Sequence, residues 1–267
     1  MQSVAVKKQH QQQIWAAGAC ARIPSGFAIV GEMLCESADL RAGQKVLDVA
    51  TGSGNTALAA ARRWCEVIGV DFERAQLERA RERAACEDLP IMFGEGDCEH
   101  LPFDNGAFDA VLSTFGVMFA HEQRQAATEL LRVCRPGGKV GMANWTPEGF
   151  IAETFRKIGE YVPPPAGMPA SIVWGTEQGL RNLFGLGITS MQLWRRRVDL
   201  RYRSPQHWLD DTRGQPGPLL QAFNALDATE GVELAAELLA LARRYNRSGD
   251  ATMVVPVEYL EVLAVRR

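Results

Sequence analysis

One glycine-rich stretch of the chain combines an acidic side chain with small residues in a spacing that suits nucleotide-like ligands. It reads VLDVATGSGNTA, in which Asp48 interrupts an apolar run and Gly52 and Gly54 follow. Where a strand turns into a helix, small residues let backbone N–H groups approach a ligand closely. The spacing Gly52-x-Gly54-x-x-Ala57 also fits dinucleotide-binding folds, in which an acid at the end of the next strand holds a ribose hydroxyl. Because Asp71 ends the next apolar run, a nicotinamide- or flavin-dependent oxidoreductase is one interpretation.

Candidate general bases are few, because the chain has only four histidines, at positions 10, 100, 121 and 207. Histidine is the usual residue for proton transfer near neutral pH. His121 follows the fourth apolar run, and open parallel sheets bind ligands at the carboxyl ends of their strands. His121 is therefore the candidate catalytic base. The alternative interpretation is an exposed residue that caps the next helix.

The elements that would position these residues alternate between strands and helices. Apolar runs predict strands at 45–50, 66–71, 91–95, 107–113, 139–145, 187–197 and 254–267. Composition and periodicity predict helices at 56–64, 72–87, 122–134, 205–211, 219–227 and 233–245. This alternation predicts an α/β fold, with a doubly wound, seven-stranded, mostly parallel sheet.

The composition of the chain argues against several kinds of binding partner and binding site. The net charge of −3, from 29 basic and 32 acidic residues, provides no field that would attract nucleic acid, so we expect no such partner. The six cysteines include no CxxC pair, so we expect no metal site and no disulfide framework. The N-terminus lacks a signal-peptide core, and no apolar run reaches about 18 residues. We therefore expect a cytoplasmic protein without membrane contacts.

Four motifs in the same chain resemble those of class I S-adenosylmethionine-dependent methyltransferases, particularly the branch of ubiquinone and menaquinone biosynthesis. LDVATGSG at 47–54 is similar to the first family motif, and VIGVDF at 67–72 to the second strand with its terminal acid. GDCEHLPF at 96–103 is similar to the family pattern GDAxxLPF, and LRVCRPGG at 131–138 to the turn before the fifth strand. The resemblance covers about residues 12–146, and Ala50 stands where many members have the first glycine of the loop.

The resemblance implies S-adenosyl-L-methionine as cofactor, S-adenosyl-L-homocysteine as product, and a Rossmann-like fold whose last strand is antiparallel. In the family, Asp48 and its loop would serve the methionine end, Asp71 would bind both ribose hydroxyls, and Asp97 would accept from the adenine amino group. The predicted cofactor contacts are Trp15, Asp48, Ala50, Thr51, Gly52, Gly54, Asp71, Phe72, Gln76, Asp97, Cys98, Ser113 and Met118.

We predict one methyltransferase domain over 1–267, in which an N-terminal helical cover, a cofactor-binding core and two lid insertions occupy 12–40, 41–146, 147–186 and 204–250. The first insertion, helical or irregular, carries aromatic residues such as Phe150, Tyr161 and Trp174, which favour a hydrophobic or aromatic acceptor. The expected reaction is in-line methylation of an oxygen, nitrogen or carbon of a small molecule by a monomer or homodimer. The alternatives are an NAD(P)-dependent oxidoreductase and a protein that binds S-adenosylmethionine without catalysis.

Overall fold

The computed structural model of the chain describes residues 25–163, 171–215 and 217–267. The predicted cofactor contact Trp15 and the first part of the predicted N-terminal cover lie outside the described residues. Within them, no helix is long and apolar enough to cross a membrane.

The described residues contain seven strands and nine α-helices. The strands are β1 Lys45–Val49, β2 Glu66–Asp71, β3 Ile91–Glu95, β4 Phe108–Thr114, β5 Cys134–Trp145, β6 Ile188–Tyr202 and β7 Met253–Arg266. The helices are α1 Ser25–Ser37, α2 Asn55–Ala61, α3 Arg74–Cys86, α4 Gln123–Val133, α5 Gly149–Tyr161, α6 Glu177–Phe184, α7 Pro205–Arg213, α8 Pro218–Ala225 and α9 Ala228–Tyr245. The predicted bounds of β2 and β3 coincide with the structure, and the other predicted bounds differ by a few residues or more.

All seven strands form one sheet in the order β3-β2-β1-β4-β5-β7-β6. β1 is parallel to β2 and β4, β2 is parallel to β3, and β4 is parallel to β5. β7 runs antiparallel to β5. The predicted doubly wound, mostly parallel sheet with an antiparallel last strand is thus confirmed. The strand order reverses between β1 and β4, and such a switch point is where open α/β sheets bind ligands.

Small side chains allow α2 to lie close against one face of this sheet. Its sequence is NTALAAA, and all of its residues except Asn55 are buried. The alanines contact Val46 of β1 and Leu112 of β4, together with Leu34 of α1, in one apolar cluster. A Cβ atom at Gly141 of β5 would lie 3.3 Å from Leu34, so α1 also approaches the sheet closely. These contacts fix the helix that begins at the glycine-rich loop.

The chain divides into two compact units, which we describe separately. As far as the structure describes them, the motif unit comprises 27–146, 171–196 and 259–267, and the helical unit comprises 25–26, 147–163 and most of 197–258. In the helical unit, Phe150 contacts the rings of Trp208 and Tyr245 at centroid distances of 5.0 and 5.7 Å. The predicted lid insertion 147–186 is divided, because residues 171–186 with α6 belong to the motif unit.

Candidate cofactor site

The glycine-rich loop joins β1 to α2 in a conformation that ordinary side chains rarely adopt. Ala50, Gly52 and Gly54 have φ angles of +54°, +53° and +86°. A Cβ atom at Gly52 would meet no heavy atom within 4 Å, whereas one at Gly54 would lie 3.1 Å from Ala80 of α3. Gly54 therefore permits close packing of α3. At Gly52 the backbone faces open space that a ligand can approach, which fits the cofactor implied by the sequence.

Asp48 is buried beneath this loop and holds it in place. Its Oδ2 accepts hydrogen bonds from Thr51 Oγ1 at 2.5 Å and from the Ala57 backbone N–H at 2.9 Å. Its side chain is almost inaccessible, and Oδ1 has no partner among the described residues. Burial raises the pKa of Asp48 to about 7, although the hydrogen bonds from Thr51 and Ala57 act in the opposite direction. Asp48 therefore supports the loop from below with a carboxyl group that changes charge near neutral pH.

Asp71 connects the end of β2 to the loop and to the start of α3. Its Oδ2 accepts from the Gly52 N–H at 2.8 Å, and its Oδ1 accepts from the Glu73 N–H at 2.9 Å. Burial raises the pKa of Asp71 from its ordinary value, while these backbone hydrogen bonds act to lower it. The Phe72 backbone N–H also interacts with this carboxylate, which retains capacity to accept from ligand hydroxyls. Phe72 and Gln76, the neighbouring predicted contacts, are half-buried.

The loop after β3 contains Asp97 and is fastened to the start of α4. Asp97 Oδ1 accepts from the Glu99 N–H at 2.9 Å, and the Asp97 side chain is 40% exposed. Buried Glu99 accepts from the backbone N–H groups of His121 and Glu122 at 2.8 and 2.9 Å. Sequence reasoning missed this role of Glu99, because no local pattern pairs it with a helix more than twenty residues away. The neighbouring Cys98 is half-buried.

His121 lies at the start of α4 with a buried imidazole. Its side chain is 5% exposed, so the interpretation of an exposed helix cap is wrong. Nδ1 has no partner among the described residues, and Nε2 lies 3.7 Å from Glu122 Oε1. Its catalytic role stays a prediction. His100, by contrast, is 71% exposed, and together with Asp97 and Glu99 it brings possible metal-binding atoms within 4.8 Å of one another.

The carboxyl end of β4 is tied to β1 and lies against the loop. Ser113 Oγ donates to the Val49 carbonyl at 2.7 Å and accepts from the Val117 N–H at 3.1 Å. A Cβ atom at Gly116 would lie 2.4 Å from the Ala50 Cβ and 2.7 Å from the Ala50 carbonyl oxygen. Met118 is only 1% exposed, so its predicted contact with the cofactor is not evident in the structure and stays a prediction.

Replacing Gly116 with alanine should therefore disturb the loop directly. We expect the free energy of unfolding to fall by about 1–3 kcal/mol, as for other overpacked sites, and S-adenosylhomocysteine to bind more weakly because Ala50 is displaced. Gly159→Ala is the control, since its Cβ would meet nothing within 4 Å inside α5 and should stabilise that helix by about 0.5–1 kcal/mol. Urea unfolding and calorimetry measure both effects. Equal stability of wild type and Gly116→Ala would contradict the close contact.

Comparisons with known proteins agree with this geometry. The sequence model of the methyltransferase-domain family matches residues 46–138. The chain is 39% identical to the uncharacterized protein Rv1403c of Mycobacterium tuberculosis over 254 residues, which cover 93% of this chain and 91% of that one. It is 36% identical to the demethylmenaquinone methyltransferase of Deinococcus radiodurans over 128 residues, 46% of this chain and 53% of that enzyme. The chain belongs to the class I S-adenosylmethionine-dependent methyltransferases.

Solved structures show that this methyltransferase shares the fold of the class. A putative methyltransferase from Bacillus halodurans has a TM-score of 0.60 at 17% identity, covering 88% of this chain and 97% of that one. The phosphoethanolamine N-methyltransferase 2 of Haemonchus contortus, solved with S-adenosylmethionine, has a TM-score of 0.54 at 17% identity, covering 96% of this chain and 55% of that one. As a member of this class, the chain uses S-adenosyl-L-methionine as its cofactor.

Proposed function

We propose that this methyltransferase methylates a small hydrophobic or aromatic molecule by in-line transfer. The observation that supports the acceptor class is the segment after β4, at the switch point of the sheet. From Ser113 to Ala120 it reads STFGVMFA, without a charged side chain. Phe115 and Phe119 are half-buried, and Val117 and Met118 are buried. An acceptor that meets the methyl group there would face apolar walls.

The cofactor contacts that we propose follow the order of the strands. S-adenosylmethionine supplies the methyl group on a positively charged sulfur. Asp71 accepts from the two ribose hydroxyls, and Asp97 accepts from the adenine amino group. The open backbone at Gly52 and the ionised form of Asp48 serve the methionine end. This assignment is supported by the remaining acceptor capacity of Asp71 and by the open space above Gly52.

Alignment and exclusion of water would carry most of the rate, because displacement at a sulfonium needs no covalent enzyme intermediate. A hydroxyl or ammonium acceptor also has to lose a proton, and for such an acceptor we propose His121 as the base. Its buried Nδ1 without a described partner supports this proposal. The relative from Deinococcus is named for methylating demethylmenaquinone, but the match covers less than half of this chain. It supports a small-molecule acceptor without specifying a quinone.

Two measurements test the proposal. Calorimetry should show micromolar binding of S-adenosylhomocysteine and no binding of NADH, whereas preference for NADH would favour the oxidoreductase alternative. A screen of small phenols, amines and enols with labelled S-adenosylmethionine should then transfer label to an apolar aromatic acceptor. Asp71→Asn serves as the low-activity control, because its weaker binding should strongly reduce transfer when the concentration of S-adenosylmethionine is close to the wild-type dissociation constant. Binding without transfer across the screen would favour a protein that binds the cofactor without catalysis.

A further inference from the structure

Four aromatic rings gather at the carboxyl ends of β4 and β5 in the motif unit. Phe115 follows β4, and its ring is parallel to that of Trp145, the last residue of β5, with centroids 3.6 Å apart and planes at 5°. Phe27 of α1 lies 5.7 and 5.5 Å from these two rings. Tyr259 of β7 meets Phe115 edge-on at 5.7 Å. The three contacts hold the half-buried Phe115 ring in one orientation.

The backbone of Phe115 is held in an unusual conformation. Its φ angle is +58°, in the left-handed region that aromatic residues seldom occupy. Its N–H still donates to the Ala143 carbonyl at 2.8 Å, so the residue remains aligned with β5. Such strain persists only where the surroundings fix it, and it is concentrated at functional sites. Here the surroundings are the three neighbouring rings and the backbone hydrogen bond to Ala143.

Phe115 is next to the residue that touches the loop. Gly116 follows it and lies against Ala50, where a Cβ atom on Gly116 would be 2.4 Å from the Ala50 Cβ. With Asp71 and Asp97 holding ribose and adenine, as proposed above, the adenosine lies over the ends of β2 and β3. The strand order β3-β2-β1-β4 then directs the rest of the cofactor across the loop towards β4. In that placement the sulfur end of the cofactor lies near the carboxyl end of β4, which Phe115 directly follows.

The side chains along this end of β4 are neutral, so a positive sulfur has no ionic partner among them. Ser113, Thr114 and Phe115 carry no charge, and Ser113 Oγ already bonds to Val49 and Val117. Among the described residues, the arginines placed over aromatic rings lie over those of Trp194, Phe223 and Tyr245. An aromatic face attracts a cation through its quadrupole, and this attraction strengthens where water is excluded.

We propose that the Phe115 ring contacts the sulfonium of S-adenosylmethionine and makes the site prefer the charged cofactor to its neutral product. This inference rests on the proposed placement of the cofactor. After methyl transfer the sulfur of S-adenosylhomocysteine is a neutral thioether, and the ring loses the electrostatic part of its contact. The preference therefore favours release of product and rebinding of fresh cofactor. Phe115 is thus a specificity-determining residue for the cofactor's charge.

The test compares the binding of three ligands to variants of the full chain by calorimetry. S-adenosylmethionine and sinefungin carry a positive group at the reacting position, and S-adenosylhomocysteine does not. In Phe115→Leu we expect the two charged ligands to bind about three- to thirty-fold more weakly, with S-adenosylhomocysteine nearly unchanged. Phe115→Tyr keeps an aromatic face and should retain the preference. Phe115→Gly accepts the positive φ without strain and removes the ring, so it replaces Phe115→Leu if that variant does not fold.

Phe108→Leu is the matched control. Phe108 lies at the amino-terminal end of β4, whereas Phe115 follows its carboxyl end, and the Phe108 ring contacts Phe103 edge-on at 5.0 Å. It should alter stability without altering the ratio of the three affinities. Equal weakening of all three ligands in Phe115→Leu, or an unchanged ratio, would overturn the inference and leave Phe115 a packing residue. Failure of wild type to bind S-adenosylhomocysteine is a different result, since it refutes the proposed cofactor site itself.

Discussion

Asp71→Asn is expected to weaken the binding of S-adenosylhomocysteine by about two orders of magnitude. In the proposed site the carboxylate accepts from both ribose hydroxyls, and charge-assisted hydrogen bonds are about twice as strong as neutral ones. The amide that replaces it also presents an N–H group to the N–H of Gly52 or Glu73, which now donate to the carboxylate. The substitution therefore removes the ligand's acceptor and disturbs the loop. Calorimetry of the two proteins at the same pH measures the change.

Asp109→Asn is the matched control for this experiment. Asp109 also accepts a backbone hydrogen bond, from Lys45 at 2.8 Å. It lies near the amino-terminal end of β4, whereas the glycine-rich loop lies at the carboxyl ends of the parallel strands. Arg135 donates to its other oxygen at 2.7 Å and holds the pKa of Asp109 below its ordinary value. This variant should lose stability and keep its affinity for S-adenosylhomocysteine. Unchanged affinity in Asp71→Asn would contradict the ribose contact.

The bounds of β2 and β3 were predictable because each strand is a short, largely apolar run between charged segments. β2 and β3 are flanked by charged helices and turns, and their predicted bounds agree with the structure. β6 was less accessible to sequence reasoning, since it was predicted to end at 197 and continues to Tyr202. Beyond 197 the strand alternates the buried Val198 and Leu200 with the charged Asp199 and Arg201, so no continuous apolar run marks it. β5 likewise begins at Cys134, five residues before its predicted apolar run.

In the candidate site, the sequence indicates which acidic side chains contribute, but not the long-range contacts that position the surrounding loops. The motifs predict Asp48 and Asp71 beside the loop, and the structure brings both there. The support from Glu99 and the stack of Phe115 on Trp145 join residues 22 or more positions apart. No single-sequence pattern encodes such pairs, because they depend on which strand ends the fold places side by side. The positive φ of Phe115 is invisible in STFG for the same reason.

Asp48→Asn is expected to remove a pH dependence from the stability of the ligand-free protein. Burial raises the pKa of Asp48 to about 7, above the ordinary aspartate value near 4, so the folded protein binds this proton more tightly than the unfolded chain. The stabilisation is complete below about pH 4 and is lost as the pH rises towards 7. The free energy of unfolding of wild type, relative to the variant, should fall by up to about 4 kcal/mol over that window.

Urea unfolding of both proteins between pH 4 and pH 8.5 measures this difference, because other titrating groups, including Asp71, are common to both. Asparagine keeps an oxygen that can accept from Thr51 and Ala57, and it places its NH₂ group where Oδ1 has no described partner. A difference that stays flat would mean that the two hydrogen bonds balance burial, and one that rises with pH would mean that they outweigh it; either result contradicts a raised pKa of Asp48. Repeating the unfolding series with saturating S-adenosylhomocysteine provides a second test. If the methionine end lies at Asp48, the ammonium group of the ligand favours the ionised carboxylate and lowers the pKa of Asp48. The free energy of unfolding of wild type should then fall less steeply with pH when ligand is bound, and the variant should show no such change.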